Sequence, residues 1–67
     1  MSAKHFMPAA VELALDEGKR VSRRRLITAT RYCAMFAEMN AITTPWLADK
    51  YAKLAFRFSA VAAGEKA

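Results

Sequence analysis

The sequence predicts an all-α fold, in which residues 23–40 and 45–63 form an antiparallel helical hairpin and residues 8–17 form a shorter N-terminal helix. Apolar residues recur at spacings of three and four along both long segments. The longest stretch without Gly or Pro lies in the middle of the chain, and every Gly and Pro falls at the start of a predicted helix or just after its end. The 67 residues suffice for one domain, residues 1–67.

The first helix is predicted from Pro8 to Glu17. Proline suits a first helical position because its missing N–H removes no hydrogen bond there, and the residues that follow are strong helix formers. Val11, Ala14 and Leu15 share one side of this helix, whereas Leu13 lies nearly opposite. Residues 1–6 have no apolar period and are expected to form a tail.

Gly18 has two interpretations. As a left-handed residue it ends the first helix, and Ser22 then caps the central helix. Alternatively, one long helix continues through Gly18. Glycine there costs about 1 kcal/mol of helix stability relative to Ala, and an ion pair between Asp16 and Arg20 partly offsets that cost. Gly followed by Ser four residues later favours the break, while the three arginines after Ser22, which oppose the helix dipole, favour continuity.

The central helix, residues 23–40, has one broad apolar side. At about 100° per residue, this side carries Leu26, Ala29, Tyr32, Cys33, Phe36 and Met39. Arg23, Arg24, Arg31 and Glu38 lie opposite. Met35, Phe36 and Met39 are interpreted as core, and Cys33 as a buried, reduced thiol.

The last helix begins at Pro45, with Thr44 as its N-cap, and Gly64 ends it. Its core-facing stripe consists of Leu47, Tyr51, Leu54, Phe58 and Val61. Asp49, Lys50, Lys53 and Arg57 lie on the other side. Because only a few residues join the two long helices, they are predicted to pack antiparallel.

The composition predicts self-association. A domain of this size buries only about 60% of the surface of its unfolded chain, and 55% of the residues are hydrophobic. One Cys excludes an intrachain disulfide, and one His excludes the common Cys/His zinc patterns. We therefore expect a homodimer, in which two hairpins form a small helical bundle.

The residues of an enzyme active site are missing. The only His is His5, in the N-terminal tail, and the acids are scattered, with no Gly-rich phosphate loop. We expect no catalytic residue, cofactor or metal. No apolar run reaches the length of a signal peptide or a transmembrane helix, so a cytoplasmic location is expected.

The net charge of +5 comes from one basic block. The block comprises Lys19, Arg20, Arg23, Arg24, Arg25 and Arg31. Such a block is typical of proteins that bind nucleic acid or an acidic protein face. Alternatively, it only keeps a small apolar protein in solution. The segment EGKRVSRRRLITATRY resembles the turn and recognition helix of helix-turn-helix proteins, which implies contacts with phosphates and base edges from residues 22–25. It departs from them in its longer turn and in an arginine where an apolar residue usually packs.

Three large apolar residues project from the polar sides of their helices: Trp46, Phe56 and Ile27. Aromatic residues in such positions with basic neighbours are typical of interface hot spots. We expect them to bind a protein partner, with Lys50 and Lys53 as the polar rim. In one alternative, Trp46 folds back over the turn at residues 40–44. In another, Trp46 and the basic side of the last helix attach to a membrane surface.

In its small size, basic charge, helical content and lack of motifs, the chain resembles the small accessory proteins of bacteriophages that bind and inhibit a host protein. That resemblance implies a protein target in the bacterial cytoplasm, such as a transcription regulator or a defence or motility component. The expected function is therefore non-enzymatic binding that modulates, and most simply inhibits, a host protein. The alternative is a small DNA- or RNA-binding regulator that uses the arginine-rich start of the central helix.

Overall fold

The computed structural model describes residues 6–64 and contains three helices within them. They are α1, Met7–Asp16; α2, Arg23–Asn40; and α3, Pro45–Ala62. The predicted all-α fold is confirmed: α2 has the predicted bounds, α1 lies one residue earlier than predicted, and α3 ends one residue earlier. Most of the predicted N-terminal tail, including His5, lies outside the described residues.

The chain breaks at Gly18, so the continuous-helix alternative is wrong. Gly18 has a φ of +74°, a conformation that only glycine adopts without strain. Its N–H donates to the Leu15 carbonyl at 3.0 Å, and the Lys19 N–H donates to the Ala14 carbonyl at 2.9 Å. These two bonds form a Schellman motif, which satisfies carbonyls at the end of α1.

Both ends of α2 and the start of α3 lie where the sequence predicts them. Ser22 caps the start of α2, because its hydroxyl accepts a hydrogen bond from the Arg25 N–H at 3.3 Å. At the other end, the Asn40 side chain donates to the Phe36 carbonyl at 2.7 Å. Thr44 occupies the predicted N-cap position of α3, but its side chain makes no capping hydrogen bond.

The core contains residues from all three helices. The buried apolar residues are Val11, Leu26, Ala29, Cys33, Leu54 and Phe58. Phe36, near the end of α2, lies 5.4 Å from Tyr51 of α3 between ring centroids, as expected for an antiparallel hairpin, and α2 and α3 share the largest helix–helix contact. Val11 is fully buried, so α1 covers the open edge of the hairpin.

Contacts at both ends of α1 fix its direction. Phe6, just before α1, lies 5.1 Å from Phe36 and 6.3 Å from Tyr51 between ring centroids. At the other end, the Asp16 carboxylate pairs with the Arg57 guanidinium at 2.8 Å, so the Asp16 to Arg20 pair of the continuous helix is not formed. Because Phe36 is near the end of α2 and Tyr51 near the start of α3, α1 runs antiparallel to α2 and parallel to α3.

Two methionines that were predicted to be core are exposed. Met39 retains 65% of its accessible surface, and Met35 is also exposed, whereas Phe36 is half-buried among the aromatic rings. The prediction is wrong for both methionines because α1 and α3 cover only part of the broad apolar side of α2. That side still carries apolar surface that neither neighbour covers.

Candidate protein-interaction site

The outer face of α3 carries a row of four exposed residues, which we call the α3 stripe: Trp46, Asp49, Lys53 and Phe56. Their spacings of three, four and three place them along one side of the helix. Trp46 is 70% exposed and Phe56 is 78% exposed. The two aromatic residues are separated by roughly 15 Å along the helix, at ~1.5 Å per residue.

An ion pair occupies the centre of the α3 stripe. The Lys53 ammonium lies 2.9 Å from the Asp49 carboxylate, and both side chains are largely exposed. The hydrogen bond to Asp49 raises the pKa of Lys53, and the negative charge of Asp49 adds to the effect. Exposed pairs of this kind stabilise little, but this pair places a compact, nearly neutral polar segment between two aromatic side chains.

A shallow groove of about 430 Å³ lies beside the α3 stripe, between α1 and α3. It is lined by Glu12, Trp46, Asp49, Lys50, Lys53, Leu54 and Arg57. Arg57 was predicted on the polar side of the last helix, opposite the core-facing stripe. Instead it is half-buried and bound to Asp16 of α1. Neither Glu12 nor Arg57 was predicted to belong to a binding site. Both line the groove because α1 lies beside α3, and the sequence pattern does not give that position.

The structure brings together only part of the predicted protein-binding set. Trp46, Lys50 and Lys53 line one groove, and Phe56 lies on the adjacent outer face. Ile27 is exposed but lies near the start of α2. In an antiparallel hairpin that position is beside the end of α3, so Ile27 is far from Trp46. The high exposure of Trp46 also argues against the alternative in which it packs over the turn at residues 40–44.

The basic block is exposed along its whole length but does not form a single face. Arg23, Arg24 and Arg25 follow one another and therefore point in directions about 100° apart around α2. Only Arg24 and Arg31 share a row along the helix. Lys19 pairs with Glu17 at 3.1 Å.

The connection between α1 and α2 differs from that of a helix-turn-helix. Residues 17–22 separate the two helices, which is longer than the three or four residues of that motif. The contact between Phe6 and Phe36 shows that the start of α1 lies near the end of α2.

Cys33 is a buried thiol, as predicted. Burial raises its pKa to about 11, and the nearby negative charge of Glu12 contributes further. The thiol is therefore protonated at neutral pH and is a poor nucleophile.

The raised pKa of Cys33 predicts a loss of stability at alkaline pH. The folded protein retains a proton that the unfolded chain releases, so this contribution is complete below pH 9.0 and is lost as the pH rises to about 11. The loss corresponds to roughly 2–3 kcal/mol of the free energy of unfolding. Urea unfolding across this range measures it, with Cys33→Ala as the control. If both proteins lose stability equally as the pH rises, the thiol is not responsible.

Within residues 6–64, no group of three or more His, Cys, Asp or Glu side chains is arranged to hold a metal ion. None of the three helices has the length and apolar character needed to cross a bilayer. The chain matches no protein-family model, and no similar protein was found among curated proteins or solved structures.

Proposed function

We propose that this chain is a small non-enzymatic protein that binds another protein through the α3 stripe and the adjoining groove, and that binding modulates the partner. The observation that carries this proposal is the exposure of Trp46 and Phe56 on one face of α3. Large aromatic residues dominate the binding energy of many interfaces. Two of them on one helix face, with charged residues between and beside them, form a small apolar surface with a polar rim.

The arrangement favours a partner with two apolar pockets about three helical turns apart. Each aromatic side chain would enter one pocket, and the ion pair between Asp49 and Lys53 would lie at the wetter centre of the contact. Lys50, which forms no ion pair within residues 6–64, favours an acidic group beside those pockets. As the resemblance to phage accessory proteins implies, we propose a bacterial host protein as the target and inhibition by stoichiometric binding as the mechanism.

Affinity capture from a bacterial lysate, with and without nuclease, tests this function. The tagged wild-type protein is compared with the double variant Trp46→Ala, Phe56→Ala and with the control Leu13→Ala, which removes an exposed apolar residue from α1. A protein retained after nuclease by the wild type and the control, but not by the double variant, supports the proposal. Capture that disappears with nuclease, or that the double variant retains, contradicts it.

Nucleic-acid binding is the second candidate, because all six residues of the basic block are exposed. Replacing Arg23, Arg24 and Arg25 with Gln is expected to leave the fold intact or slightly more stable, since three cations at the positive end of α2 are removed. Thermal unfolding measures this effect. The control replaces Lys50 and Lys53 with Gln, away from that helix end.

The same triple variant tests the second candidate. If the block binds nucleic acid, the affinity for duplex or single-stranded probes falls steeply with salt, and the triple variant flattens that dependence. The control variant should retain the slope. If no probe is bound at low salt, the nucleic-acid function is excluded.

A further inference from the structure

A second row, separate from the α3 stripe and exposed except for the half-buried Thr28, runs along α2 and into the turn that follows it. We call it the α2 stripe: Thr28, Tyr32, Met35, Met39 and Ile42. Within α2, the spacings of four, three and four are those of the a and d positions of a coiled coil, and Ile42 follows in the turn. Ile42 is 91% exposed, and Tyr32 and Met35 are each more than one-third exposed. Four large apolar residues therefore line one exposed surface, on which Tyr32 stacks against Phe36 at 6.4 Å between ring centroids.

The α2 stripe contains a depression shaped for a side chain. A shallow groove of about 210 Å³ is lined by Thr28, Arg31, Tyr32 and Met35. These residues have the spacing i, i+3, i+4, i+7, which is the arrangement of a hole in knobs-into-holes packing. A helix packed along the stripe would insert one side chain into this hole, and a methionine has the flexibility to fill it.

Two residues of opposite charge lie on one flank of the α2 stripe, so that they can pair between two copies of the chain. Arg31 and Glu38 lie seven residues apart on the same flank, both are exposed, and neither forms an ion pair within residues 6–64. When two copies of α2 pack antiparallel with Met35 of one opposite Tyr32 of the other, Arg31 of each copy faces Glu38 of the second. The same register places Met35 of each copy over the hole of the other.

Two copies of α2 packed in parallel would not pair Arg31 with Glu38. In parallel coiled coils, the charged flank of one helix faces the opposite flank of its partner. On α2 the opposite flank carries Ala29 and Phe36, which pack inside the chain's own fold. Opposite charges therefore meet across the stripe only in the antiparallel arrangement.

We propose that a second copy of this chain occupies the α2 stripe, packed antiparallel about a twofold axis, with two ion pairs between Arg31 of one copy and Glu38 of the other. Such an interface is isologous, because each contact occurs twice. It leaves the α3 stripe free, so it is independent of the proposed function. It also gives a location for the homodimer that the apolar composition predicts.

Charge reversal tests the proposed dimer. Sedimentation of the wild type over a concentration series should reach about twice the 7.5 kDa monomer mass. Arg31→Glu and Glu38→Arg should each weaken dimerisation by about tenfold or more, because each places two pairs of like charges across the interface. The double variant should recover affinity to within about threefold of the wild type, as expected for directly coupled residues. Lys50→Glu, a reversal on α3, should have no effect.

A second variant examines the apolar part of the interface. Met35→Glu places a carboxylate in the hole and should abolish dimerisation while the helical circular dichroism is unchanged. If the wild type remains a monomer at millimolar concentration, the proposal is wrong. It is also wrong if a dimer forms whose affinity is insensitive to both reversals. Capture of a partner through the α3 stripe is measured separately, so the failure of one proposal leaves the other standing.

Discussion

Replacing Phe58 with alanine is expected to lower the free energy of unfolding by about 3–5 kcal/mol. Phe58 is the largest fully buried side chain and lies in the core with residues from all three helices. Truncating a buried phenylalanine costs about 3–5 kcal/mol, because apolar contacts are lost and a cavity remains. A domain of this length has a net stability of roughly 3–10 kcal/mol, at about 0.05–0.15 kcal/mol per residue, so this one change removes much or all of it.

The matched control is Phe56→Ala, which removes the same side chain from the same helix two positions earlier. Because Phe56 is 78% exposed, its truncation should change the free energy of unfolding by less than about 0.5 kcal/mol. Urea unfolding followed by circular dichroism compares the two variants at equal protein concentration, since self-association would add to the apparent stability. Equal loss of stability in both variants would contradict the assignment of Phe58 to the core and Phe56 to the surface.

Truncating the aromatic residues of the α3 stripe is expected to abolish partner binding without affecting the fold. Removing an aromatic hot spot commonly costs about 2 kcal/mol or more of binding free energy, which is a loss of about 30-fold in affinity for each residue. Trp46→Ala and Phe56→Ala together should therefore reduce binding below detection in most capture experiments. The melting temperature should stay close to that of the wild type, because both side chains already face solvent.

Comparing stability with binding distinguishes an interaction surface from a packing surface. Leu13→Ala, which truncates a 57% exposed apolar residue on α1, should change neither the melting temperature nor binding. If the double variant melts many degrees lower while the remaining folded protein still binds its partner, Trp46 and Phe56 stabilise the fold or its dimer. The partner would then bind elsewhere.

The sequence alone determined the helices. The apolar spacings and the terminal signals at Ser22, Asn40 and Pro45 located α2 and α3 closely, because these effects act within one or two turns of the chain. The same spacings identified Leu54 and Phe58 as core. They also placed Trp46 and Phe56 away from it, because the direction of a side chain on a helix follows from its position along that helix.

The break at Gly18 was predicted only as one of two alternatives. Glycine within a helix costs about 1 kcal/mol, and each of the three arginines at a helix start costs about 0.3–1 kcal/mol, so the opposing local terms are of similar size. Contacts between residues that are distant in the sequence favour the break. Because the chain changes direction at Gly18, Val11 is buried against α2 and α3, Phe6 contacts Phe36, and Asp16 pairs with Arg57.

The position of α1 likewise determines which surfaces remain exposed to solvent. That position is seen only in the tertiary structure. Periodicity showed that the apolar side of α2 was broad, but not which part α1 would cover, so Met35 and Met39 were assigned to the core. The groove formed with Glu12 and Arg57 also depends on how closely α1 approaches α3. A spacing rule describes one helix at a time, whereas burial is shared between helices and depends on how they pack.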